Sequence, residues 1–199
     1  TVKYLHSGDI MHRDIKPGNI LMNRDSSIKL ANFGLARSLK SSLTHSWSSS
    51  FTDYIANRFF QAPEVVLGAT NYTNTVDIWS LGCVIAQLYV GKPIFPGRNT
   101  MDQLARQVAV TGPPPSEAVD DLNCSFASSM LDSIADGAKK YPNLSSLLGP
   151  SADPQLVDLL SSCLQFDPTK RPSADVLLRH PFLSSFNEDD RQDDDDDDD

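Results

Sequence analysis

The stretch TVDIWSLGCVIAQLYVG, from Thr75 to Gly91, limits the fold more than any other part of the chain. Read at helical spacing, Ile78, Leu81, Ile85 and Leu88 share one side, while Trp79, Cys83 and Val84 fill others. A helix that is apolar on nearly every face has no side to give to water, so it must be surrounded. It ends at Gly91, just before Pro93, as helices do at a glycine C-cap. Other segments can supply the surroundings. NTMDQLARQVAVTG opens on a capping Asn99 or Thr100, repeats Met101, Leu104 and Val108, and stops at Gly112 before three prolines. DPQLVDLLSSCLQF and SADVLLRHPFL read as two amphipathic helices divided by the turn DPTKRP. With 199 residues, 40% of them hydrophobic, the chain is long enough for one domain with a real core.

The first forty residues are built differently. Ile10-Met11, Ile20-Leu21-Met22 and Ile28-Lys29-Leu30 are short apolar runs, and Asn23 to Ser26 is a turn between two of them, so short strands are expected here. Residues 38–51, SLKSSLTHSWSSSF, are serine-rich and aperiodic, which predicts a mobile loop. The fold class expected is therefore α+β, mainly helical, with short β-strands near the N-terminus. Residues 187–199 read as a disordered acidic tail, since seven consecutive aspartates repel one another and have nothing apolar to bury.

That tail explains the formal charge of -9. Residues 188–199 hold ten of the 26 acids against one of the 17 bases, leaving sixteen of each in the body. A neutral body with an acidic end argues against nucleic acid and against anionic membrane surfaces as partners. Cys83, Cys124 and Cys163 are odd in number, widely spaced and without a CxxC pair, so free thiols in a reducing compartment are expected. No secretory leader opens the chain and no apolar run reaches the ~18 residues of a membrane span, so cytosol or nucleus is the expected location.

The chemistry sits in HRDIKPGNIL, His12 to Leu21. Asp14 can orient an attacking hydroxyl and take its proton, Lys16 can neutralise charge on a transferring phosphate, and Asn19 can offer an amide oxygen to a divalent ion. A short loop between strands would aim all three at one point. This stretch resembles the catalytic loop of eukaryotic protein kinases. The resemblance continues in order through NFG (Asn32 to Gly34) where that family has DFG, then TDY, APE, DIWSLG and KRPSA, and covers about residues 1–186. TDYIANRFFQAPEVVLG, GKPIFPGRNTMDQL and the long stretch before DPQLVDLL are similar to MAP kinases, in particular the extracellular-signal-regulated type.

The resemblance implies a large, C-terminal lobe with its catalytic loop at 12–19, an activation segment at 32–64 and an insert over about 113–153. It implies ATP with Mg2+ as cofactors, with Lys16, Asn19 and Asn32 at the nucleotide and Asn19 and Asn32 at the metal. It implies protein substrates, and an upstream MAP-kinase kinase that phosphorylates Thr52 and Tyr54, with Arg13 receiving the phosphothreonine and Arg58 the phosphotyrosine. Glu64 and Arg171 take the place of the family's structural ion pair, and Asp77 that of the helix-start carboxylate steadying the catalytic loop. Glu188, Asp189 and Asp190 stand about where MAP kinases receive basic docking peptides.

Four departures set this chain apart. Asn32 replaces the magnesium-chelating aspartate, so a neutral amide stands where the hard ion prefers carboxylate oxygen. Gln61 replaces an arginine that helps shape the pocket for a proline after the phosphoacceptor, and an amide cannot make the bidentate contact. Asn57 replaces a threonine that bonds the catalytic aspartate. The chain starts at TVKYLHSGD, and no glycine-rich loop or strand lysine precedes the catalytic loop within it. Two readings follow: a MAP-kinase-like serine/threonine kinase segment, inactive by itself, or a pseudokinase acting as a protein-binding or scaffold module.

Overall fold

The structure, a computed structural model, describes residues 1–39, 58–69, 72–122, 124–138 and 140–184. Thr52, Tyr54, Asn57, most of the expected serine-rich loop and the acidic residues Glu188, Asp189 and Asp190 lie outside them.

A single short helix, α1 (Val2–Ser7), leads into four strands: β1 (Ile10–Met11), β2 (Ile20–Met22), β3 (Ile28–Leu30) and β4 (Arg37–Ser38). They form two antiparallel pairs. β2 meets β3 with Ile20 opposite Leu30 and Met22 opposite Ile28, while β1 meets β4 with Met11 opposite Arg37. The expected turn closes the hairpin, because Asp25 Oδ1 accepts from both the amide (3.0 Å) and the hydroxyl (2.7 Å) of Ser27. Strand β4 carried no signal of its own; it exists because Met11 and Ile10 offer it an edge.

The remainder is helical: α2 (Pro63–Val66), α3 (Thr75–Val90), α4 (Thr100–Thr111), α5 (Ser116–Asp120), α6 (Ala127–Ala138), α7 (Leu144–Leu148), α8 (Pro154–Cys163) and α9 (Ala174–Leu177). The apolar stretch from Thr75 forms α3, at the centre. Trp79, with no exposed surface, stacks on Phe95 with ring centroids 5.6 Å apart, and α7 and α8 pack alongside. Contact with α8 is close enough that a Cβ on Gly82 would lie 2.8 Å from Cys163 Cβ, so only glycine fits there. Burial on every face fails in one place. Leu88 is 77% exposed and Tyr89 44%, because in the last turn only Val90 still packs against the core.

Asn99 is the α4 cap, its side chain accepting from Asp102 N at 2.8 Å. The insert carries α5, α6 and α7, which no periodicity in the sequence announced. Val119 of α5 and Ile134 of α6 close over Leu104 and Val108 of α4 in a second core. Asp102 ties the two segments together: its carboxylate accepts from Arg98 N (2.9 Å), Arg106 Nε (3.4 Å) and the Tyr141 hydroxyl. Burial works to raise the Asp102 carboxyl, but those donors outweigh it and hold the group well below the usual carboxylate range.

Beneath both cores, Glu64 and Arg171 form a fully buried bidentate pair at 2.6 and 2.7 Å. Arg171 also donates to the carbonyls of Gln165, Thr75 and Phe166 and lies 5.2 Å from the Trp79 ring. All its donor faces are used, which is the condition under which a buried ion pair is tolerated. Among the described residues no helix is long and apolar enough to cross a membrane.

Candidate active site

The site is built from the first turn of α3 outward. Asp77, fully buried there, accepts from the backbone amides of His12 and Arg13, both at 2.8 Å, and faces His6 Nε2 at 3.0 Å. These bonds fix a turn in which Arg13 takes a left-handed backbone, φ +69°. His12, completely buried, then accepts at Nδ1 from Asp14 N (3.3 Å), so its Nε2 carries the proton and donates to Ala31 O at 3.0 Å. Its ring meets Phe33 edge-on, with centroids 4.9 Å apart. Sequence reasoning passed over His6, His12 and Phe33. Their only advance signal was position, flanking the loop and the NFG triplet.

So held, the loop and the segment at 31–34 converge. Lys16 Nζ lies 3.1 Å from Asp14 Oδ1. Asn19 Nδ2 donates to Asp14 Oδ2 at 2.8 Å and to the Asp14 carbonyl at 2.6 Å. Asn32 Nδ2 donates to Asp14 Oδ2 at 3.2 Å and faces Asn19 Oδ1 at 3.4 Å. Asn32 itself is left-handed, φ +67°, a conformation asparagine adopts at little cost among L-residues. Asp14, Lys16 and Asn19, nominated from their spacing, and Asn32, nominated by the family resemblance, therefore stand together.

The other nominated residues divide. The Arg13 guanidinium sits 5.4 Å over the Tyr72 ring, and burial pushes the Tyr72 phenol up against the opposing pull of Arg13 and Arg37. Arg58 is buried, but Tyr54, whose phosphate it was nominated to bind, lies outside the described chain, as does Thr52, the one assigned to Arg13. Gln61 joins the site: with Arg13, Asp14, Tyr72 and Ser80 it lines a water-sized cavity of about 20 Å³. Its backbone is pinned by Gln107 Nε2, which donates to the Gln61 carbonyl at 2.8 Å. Glu64 and Arg171 are buried against each other and line no part of that cavity.

The donor set is a poor match for magnesium. The ion favours carboxylate oxygen in octahedral array. The carboxylate at this point, Asp14, is already met by Lys16 and two amide N–H groups. Asn19 Oδ1, the oxygen nominated for the metal, faces the Asn32 amide nitrogen. Among the described residues no group of three or more His, Cys, Asp or Glu could hold a metal ion. What the arrangement can do without one is hold Asp14 in a fixed orientation to accept a hydroxyl proton, with the Lys16 ammonium beside it to counter negative charge.

Comparison with known proteins gives the same direction. The protein kinase domain family matches residues 1–183. Among curated relatives, extracellular signal-regulated kinase 2 of Dictyostelium discoideum is 42% identical over 187 residues, covering 94% of this chain and 50% of the relative. Mitogen-activated protein kinase 13 of Homo sapiens is 40% identical over 187 residues, 94% of this chain and 48% of the relative. Mitogen-activated protein kinase 15 of Xenopus laevis is 37% identical over 185 residues, 93% and 31% respectively. The chain thus spans half or less of the length of these relatives.

Proposed function

The chain belongs to the protein kinase domain family, and from that premise we propose that it is the catalytic-loop-bearing large lobe of a MAP-kinase-like serine/threonine kinase, with Asp14 as the proton acceptor. One observation carries the reading: Asp14, Lys16 and Asn19 are brought to one point by a loop whose backbone is bonded to Asp77. ATP is the phosphoryl donor by family, and Mg2+ its usual companion, but the donors here fit that ion badly, so turnover falls far below that of a relative with a carboxylate at position 32.

A second reading, a pseudokinase that binds without turnover, is favoured by one specific contact: the Asn32 amide is spent on Asp14 itself. Activation by a MAP-kinase kinase at Thr52 and Tyr54, with Arg13 and Arg58 as phosphate partners, belongs to the first reading. So does recruitment of basic docking peptides by Glu188, Asp189 and Asp190. Gln61, lining the cavity beside Asp14, supports relaxed selection for proline after the phosphoacceptor.

The test joins this chain to the small lobe of a MAP kinase and follows phosphoryl transfer to a serine/threonine peptide. Asn32→Asp is expected to raise the rate by at least about 100-fold, as restoring a ligand worth several kcal/mol requires. Asp14→Ala is then expected to lower it by about 10²–10⁴. Equal rates with Asn or Asp at 32 would put the metal site elsewhere, and full activity without Asp14 would end the kinase reading of this loop.

A further inference from the structure

We propose that Asn32 stands in for the cation that its family places at this point: its amide group binds the catalytic loop to the 31–34 segment, so that the two stay assembled without metal. An ion held by Asn19 and by a carboxylate at 32 would do two jobs, adding positive charge beside Asp14 and joining the oxygens of both segments. Here the same two jobs are done by protein groups. Charge on Asp14 is countered by Lys16 at 3.1 Å, and Asp14 Oδ2 accepts from Asn19 at 2.8 Å and Asn32 at 3.2 Å. The Asn32 amide nitrogen has two N–H groups, and it faces two oxygens, Asp14 Oδ2 and Asn19 Oδ1. An aspartate at 32 would have no donor to offer either, and would set a second carboxylate about 3 Å from the first, where like charges repel strongly. Further ties cross between the same segments, from His12 Nε2 to Ala31 O at 3.0 Å and from Ala31 N to Asn19 O at 2.8 Å. The left-handed backbone at 32 lets asparagine make these contacts without strain.

This deepens the reading of the site given above, but its readout is local stability, so it fails or stands separately from phosphoryl transfer. The experiment measures amide hydrogen exchange over residues 12–20 and 31–34 of the 199-residue chain, together with Tm, in chelator and in millimolar MgCl2. Wild-type protection is expected to be the same in both. Asn32→Asp is expected to lose protection about tenfold to a hundredfold in chelator, the loss of a hydrogen bond to a charged group, and to regain it with Mg2+. Asn32→Ala is expected to lose it and not regain it. The proposal is overturned if Mg2+ raises wild-type protection by a similar factor, or if Asn32→Asp is as protected as wild type in chelator. If Asn32→Asp folds in neither condition, Asn32→Ala decides: undiminished protection in chelator overturns the proposal, and loss without Mg2+ rescue supports it.

Discussion

Glu64 and Asp14 are both buried carboxylates, and the protein answers them in opposite ways. Glu64 receives a guanidinium in two bonds, with neither side chain exposed, and that guanidinium spends its remaining donors on three carbonyls. Asp14 receives a partly exposed lysine and two neutral amides. The first arrangement leaves no guanidinium donor unused and no oxygen exposed to a visitor, so it reads as structural. The second is met in part by a lysine that reaches solvent, and it opens on a cavity. Full, inflexible compensation marks scaffold here, and partial, replaceable compensation marks chemistry.

The largest expected effect tests the scaffold side. Arg171→Met leaves Glu64 charged and unpaired in the core, and is expected to cost about 3–5 kcal/mol in denaturant unfolding. A variant no less stable than wild type would erase the distinction. Next, Asp77→Ala orphans the backbone amides of His12 and Arg13 and is expected to cost about 2–3 kcal/mol, with early proteolysis near the loop. A cost below that of a surface substitution would mean that the loop holds itself.

Asp102 lies between the two extremes and is read by acid. Its folded pKa is depressed below the ordinary value of 3.8, so the stability it contributes is fully present above about pH 4 and is lost as pH falls through the depressed range. Between pH 4 and pH 2, wild type is therefore expected to lose more stability than Asp102→Asn; parallel curves would remove Asp102 from the account. The smallest effect is expected at the reactive carboxylate. Asp14→Asn keeps acceptor capacity for the amides and loses only the partly exposed Lys16 pairing, so unfolding is expected to shift by about 1 kcal/mol or less. A loss comparable to that of Arg171→Met would show Asp14 to be scaffold after all.

Local pattern was legible in advance, and direction across space was not. The β2–β3 hairpin, the Asn99 cap and the Gly91 stop were readable because each is decided within a few residues. That Asp14, Lys16 and Asn19 would stand together was readable for the same reason. The turning of the Asn32 amide onto Asp14 was not, since it depends on a positive φ at 32 and on His12 anchoring Ala31. Helix α6, ASSMLDSIADGA, escaped notice because its serines and single glycine weaken any periodic signal; it is held by α4 rather than by its own propensity. Leu88 misled for the converse reason, a helical pattern continuing where no neighbour covers that side of the helix.

The tight crossing of α3 and α8 at Gly82 also makes the molecule its own stopwatch. Cys83 and Cys163 lie at that crossing, at most 1% exposed, and burial pushes the Cys163 thiol up to about 12 and raises Cys83 as well. Since the thiolate is the reactive form, neither sulfur meets a thiol reagent until the two helices part. Cys124, half-buried with its sulfur on the Leu67 carbonyl, is reached sooner. The order and pace at which an alkylating reagent marks the three sulfurs would therefore time the breathing of the insert separately from the opening of the core, with no cysteine introduced.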